Sequence, residues 1–189
     1  MSIIRNLQSD LYKNGHQINS KNARIWFKAK IRELNLRPKT LMKDYERLRG
    51  SVYVGKMFFF FYNPKTKEKL PYYDIFPLVI PLERYHDGFL GLNLHYVAPR
   101  IRLYILDILE KTRSNEKMND TTRMKINYEI VSRLDKYGIM KDCIKRYLTS
   151  HIQSRFLLIG ADEWHFAASM PFEIFRTEKK GIINKGVFK

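Results

Sequence analysis

What this sequence lacks narrows its chemistry before any motif is read. One cysteine, Cys143, stands among 189 residues, so neither a disulfide framework nor a cysteine-based zinc cluster can form within the chain. No apolar run approaches the roughly 18 residues of a membrane span; the longest candidate, Met57–Tyr62, has the length of a strand. The first residues, MSIIRNLQSDLYKNG, carry no apolar core of a secretory signal. The expectation is a soluble protein assembled inside a cell, with no membrane partner. Internal repeats, low-complexity stretches, a glycine-rich phosphate loop, a dinucleotide fingerprint and a Gly-x-Ser-x-Gly turn are all missing. Acid is scarce as well: 19 Asp and Glu face 35 Lys and Arg, a net charge of +16. Such an excess suits a polyanionic partner, either nucleic acid or an acidic protein surface.

What is present is enough to fold. Apolar residues make up 44% and aromatics 14%, so a packed core is affordable and a disordered basic tail is excluded. The charge is unevenly spread. Residues 1–50 hold 12 basic and 4 acidic residues, half of the net excess. Three segments follow from this: a basic helical arm over 1–50, an α+β core over 51–176 with a barrel-like stretch at 52–97, and a basic C-terminal tail over 177–189 with four lysines and two glycines.

Within the arm, Ser20 is placed to cap a helix running to about Leu34. Ala23, Trp26, Phe27, Ile31 and Leu34 fall on one stripe, and Lys21, Arg24, Lys28 and Arg32 on another. Arg37-Pro38 ends that helix, and Thr40–Arg49 reads as a short helix or turn. The next segment is rich in aromatic and β-branched residues. SVYVGKMFFFFY, the run Leu78–Ile80 among Pro71, Pro77 and Pro81, and the alternating FLGLNLHYV after the turn His86-Asp87-Gly88 predict three or four short strands. Pro99 suits the first turn of a helix through Lys111. Met124–Leu134 carries both strand-like alternation (Met124, Ile126, Tyr128, Ile130) and helical spacing (Ile126, Ile130, Leu134), and is read as a helix stopped by Gly138 in preference to a strand. Lys141–Leu148 reads as a short helix. IQSRFLLIG reads as a late strand, and Asp162 as the cap of a helix to about Ser169. The expected fold class is α+β: a small antiparallel β-barrel or twisted sheet wrapped by N- and C-terminal helices.

Chemical motifs are few. The five histidines, His16, His86, His95, His151 and His165, show no metal-binding helical spacing, and His86-Asp87 reads as a solvated turn pair. No metal site, cofactor or catalytic residue is expected. Cys143 sits near Lys141, Lys145 and Arg146, cations able to lower a thiol pKa, but a structural cysteine is the plainer reading. Asp162-Glu163 suits capping. Phe58–Phe61, Tyr62 and Tyr72-Tyr73 can stack on bases or pack in a core, and four consecutive phenylalanines favour packing. The basic stripe Lys21, Arg24, Lys28 and Arg32 is the expected contact face for DNA or acidic partners, with Trp26 and Phe27 anchoring its helix.

Two resemblances accompany these residues. GKMFFFFYNP, LPYYDIFPLVIPL and GFLGLNLHYV together are similar to the opening of Src-homology-3-like barrels such as certain toxin ribonucleases. Phe76-Pro77-Leu78-Val79 replaces their arginine-led strand, so the likeness implies fold and not activity. Lys69–Asp74, Gly88–Asn93, Ser154-Arg155-Phe156 and Glu163-Trp164, in that order, resemble small virion-associated proteins of large tailed, contractile-tail bacteriophages. That resemblance implies a non-enzymatic structural component of a phage particle, in the neck, DNA-end or baseplate region. Such a component is localised to the virion, assembled in the host cytoplasm, and partnered by other virion proteins and double-stranded DNA. Two alternatives stand beside it: a DNA-binding or DNA-end-protecting module, and a small nuclease in which His95 and Asp74 would act.

Overall fold

A computed structural model describes residues 2–18, 20–113, 142–177 and 181–183. Five helices are described: α1 (Ile3–Lys13), α2 (Lys21–Glu33), α3 (Pro38–Leu41), α4 (Pro99–Arg113) and α5 (Trp164–Ser169). The strands are β1 (Leu48–Arg49), β2 (Met57–Phe59), β3 (Tyr73–Asp74), β4 (Leu78–Tyr85), β5 (Gly88–Asn93), β6 (Ile144–Leu148), β7 (Phe156–Ile159), β8 (Phe175–Thr177) and β9 (Gly181–Ile183). Six of them form an antiparallel sheet in the order β1-β7-β2-β4-β5-β6, and β3-β8-β9 form a second, smaller sheet. The fold is α+β.

The phenylalanine run sets the sheet's two faces. Side chains alternate along a strand, so Met57 and Phe59 join the main core under the helices, while Phe58 and Phe60 enter a separate aromatic cluster with Val79, Phe89, Tyr147 and Phe156. Phe156 on β7 lies 6.1 Å, ring to ring, from Phe89 on β5. Those strands are separated by β2 and β4, so a flat sheet with strands about 4.8 Å apart would hold them well clear of each other. The sheet therefore curls around the aromatic cluster. The ladder does not close, because β1 and β6 are its edges and do not pair with each other, and a complete barrel is not formed by the described residues.

Ser20 caps α2 as its position predicts, its hydroxyl accepting from the Ala23 N–H at 3.0 Å. Ala23 and Phe27 are buried in the main core, and Phe27 meets Phe166 of α5 edge-on at 4.7 Å; Trp26 is partly buried against the same core. Helix α1 is not among the expected elements, although Ser2 followed by Ile4, Leu7 and Leu11 carries its signal: a capping hydroxyl and a buried stripe. Its residues share the main core with β2, β4 and β5.

Two expectations are corrected. The segment Lys141–Leu148, expected to be a helix, contains strand β6, paired with β5 from Leu92↔Ile144 to Gly88↔Leu148. Eight residues are too few for a stable helix on their own, and the open edge of β5 supplies a ladder that also delivers Tyr147 to the aromatic cluster. FLGLNLHYV extends only to Asn93; Leu94–Tyr96 forms a 3-10 turn. The Asn93 side chain accepts from the His95 N–H at 2.9 Å, a local bond that competes with strand pairing. The expected helix over Met124–Leu134 lies outside the described residues, as does most of the expected tail; its residues Thr177 and Gly181–Ile183 pair in β8 and β9.

Candidate nucleic-acid interface

The start of α2 and the start of α4 border one groove of about 500 Å³. Its lining is of two kinds. Ile18, Ile25, Pro99 and Leu103 make an apolar surface, and Lys21, Arg24, Lys28 and Arg100 contribute four positive charges. Ile25 is 58% exposed, unusual for an aliphatic residue that has a core within reach on the same helix. Helix N-termini carry partial positive charge and free N–H groups, which adds to the side-chain field. Of the four cations expected on α2, Lys21, Arg24 and Lys28 line this groove; Arg32 is exposed one turn further along the helix. Arg100 was not singled out by the sequence, since only the packing of α4 beside α2 brings it there.

Arg24 differs from its neighbours. Its guanidinium meets Glu173 at 2.8 Å, and the same carboxylate takes Arg102 at 2.8 Å. Arg102 is fully buried, donating also to the carbonyls of Val97, Ala168 and His95. Burial alone would raise the Glu173 carboxyl, but the charges of Arg102, His95 and Arg24 outweigh it and hold the group at about 2. Arg24 is thus fixed in place by an internal ion pair at the groove's edge.

A second cleft shares no lining residue with the first. Tyr62, Tyr72, Tyr73, Tyr96 and Tyr147 converge there with Lys65 and Lys145, around a cavity of about 480 Å³. The ring of Tyr72 stacks on Tyr96 with centroids 5.7 Å apart, and Lys145 Nζ sits 4.5 Å over the Tyr96 ring. Burial raises the phenols of Tyr96 and Tyr147, so both remain protonated. Beneath lies a polar network. Asp74 accepts from the Phe76 N–H at 3.1 Å and from Asn93 Nδ2 at 3.3 Å, and its Oδ2 lies 2.7 Å from His95 Nδ1. Asp74 and His95, the residues of the nuclease alternative, are therefore in contact, but their side chains are 1% and 0% exposed. His95 Nε2 has no hydrogen-bond partner among the described residues.

The remaining candidates are structural. Glu163 is buried, paired with Arg47 and accepting from the Gly160 N–H at 3.1 Å, one half of a capping box. Cys143 is buried at the turn before β6. Among the described residues no cluster of His, Cys, Asp and Glu is arranged to hold a metal ion, and no helix is long and apolar enough to cross a membrane.

The sequence of a protein family, described as phage T4 terminal DNA protecting protein, matches residues 2–189. The chain belongs to that family. Membership in the terminal DNA protecting protein family bears out the resemblance to phage proteins and brings the DNA-end alternative forward. No curated protein and no solved structure matches the chain.

Proposed function

We propose that this chain binds the ends of double-stranded phage DNA and shields them without cutting, as a non-enzymatic component of the phage particle. The observation that carries this reading is the composition of the α2–α4 groove. A duplex end differs from its interior in exposing the flat, apolar face of the last base pair, with phosphates on either side. An apolar surface of Ile18, Ile25, Pro99 and Leu103 rimmed by Lys21, Lys28 and Arg100 complements that combination, whereas plain phosphate binding has no use for an exposed isoleucine. Lys21, Lys28, Arg32 and Arg100 are assigned to phosphates, and Arg24 to the groove wall. The family's description favours the DNA-end region over the neck or baseplate. Other virion proteins are the second class of partner, held by the surfaces that remain free when the groove is filled.

The test is exonuclease protection. Linear duplex incubated with the protein should resist an end-dependent exonuclease, and covalently closed circles should not compete for binding. The variant Ile25→Glu should lose end protection while keeping its fold by circular dichroism. Equal affinity for ends and for closed circles would overturn the proposal. Mass spectrometry of purified particles should find the chain at fixed stoichiometry.

A further inference from the structure

The tyrosine cleft lies outside the α2–α4 groove and is not needed to hold a paired end. We infer that it binds an unpaired nucleotide at a DNA end, the base lying against Tyr72 and the phosphate against Lys65 and Lys145. This deepens the DNA-end reading and rests on it for the duplex that presents the strand.

Three features point to a nucleotide. The first is the stack. Tyr72 lies outside the regular strand on the approach to β3, is only partly buried, and is backed by Tyr96, whose ring is held edge-on by Phe175 at 5.1 Å. A tyrosine braced from behind by a second ring is a ready platform, and aromatic stacking is tolerant of base identity. The second is the floor. Tyr62 accepts from the Leu148 N–H at 3.3 Å and Tyr96 accepts from the Asp74 N–H at 3.3 Å; each hydroxyl keeps a hydrogen to donate to the edge of a base. The third is charge. Lys65 is exposed on the rim, and Lys145 is half-buried with its ammonium over Tyr96. Arg146 is held by Asp87, and Asp74 by His95; exposed Asp142 lines the cleft on the Lys145 side, so Lys65 is the leading phosphate contact and Lys145, offset in part by Asp142, the second. A proline-rich peptide would also suit tyrosine rings, but it has no use for the lysines.

The experiment compares full-length protein binding to a labelled blunt duplex and to the same duplex bearing a short thymidine overhang, by fluorescence anisotropy. A free thymidine oligonucleotide is titrated in parallel. The overhang should tighten binding by about fivefold or more, the lower end of what one stacked base contributes. Tyr72→Ala should abolish that gain and leave blunt-end affinity unchanged, and Tyr72→Phe should preserve it, because the ring and not the hydroxyl carries the stack. No gain from the overhang in the wild type would overturn the proposal, as would Tyr72→Ala weakening blunt and overhang duplexes alike. Displacement of the oligonucleotide by a proline-rich peptide would overturn it too. If duplex ends do not bind while the free oligonucleotide does so through Tyr72, the end reading fails and the nucleotide site stands; blunt-end binding with no overhang gain gives the reverse.

Discussion

Glu173 is the residue on which two arginines converge, and its ionisation should be visible in the stability of the whole protein. Its carboxyl sits at about 2 in the folded state against an ordinary 4.5. A depressed folded pKa stabilises the protein above the unfolded value, and that contribution is lost as pH falls from about 4.5 toward 2. Glu173→Gln should lower stability by roughly 3–5 kcal/mol near neutrality, because it leaves buried Arg102 without its countercharge. It should also flatten the loss of stability between pH 4.5 and 2; urea melts of both proteins across that range provide the check. Glu163→Ala should cost less, about 1–3 kcal/mol, because partly exposed Arg47 keeps Asp44 as an ion-pair partner, measured the same way. At this scale the sequence was partly legible. Asp74 and His95 were singled out and are in contact, yet nothing in their types or spacing told that both would be sealed. Arg24 fell on the basic stripe as periodicity required; that Glu173, almost 150 positions away, would claim it was not readable from local spacing.

The elements were most legible where periodicity and caps agreed. Ser20 with the stripe through Phe27, and Pro99 ahead of Ile105 and Leu109, located α2 and α4. The four phenylalanines announced core, though not that the two faces of one strand would serve two different clusters. Elements stabilised by a neighbour were hidden: β6 exists because β5 offers it an edge. Gly88 occupies the tightest point of that pairing. A Cβ there would collide with the Tyr147 carbonyl oxygen on the adjacent strand, so Gly88→Ala should lower the thermal midpoint sharply, whereas Gly50→Ala, which meets nothing within 4 Å, should leave it nearly unchanged. Differential scanning calorimetry of the two variants distinguishes them.

For the molecule as a whole, the net charge of +16 first suggests only an affinity for polyanions. Packing divides that charge into parts already committed, such as Arg24, Arg47 and Arg102, and parts left at a surface, such as Lys21, Lys28 and Arg100. Binding to duplex ends should weaken linearly in log–log plots against salt, and replacing Lys21, Lys28 and Arg100 with alanine should reduce the slope by about 0.9 for each phosphate contact removed. The main sheet adds a consequence for biosynthesis. Strand β7, Phe156–Ile159, is inserted between β1 and β2, which lie about a hundred positions earlier. Pairing across such separations is slow and comes late, so a ribosome must release most of the chain before β2 acquires its second neighbour. Until then β2 is paired on one side only, by β4, and its other edge stays open to misassociation during translation.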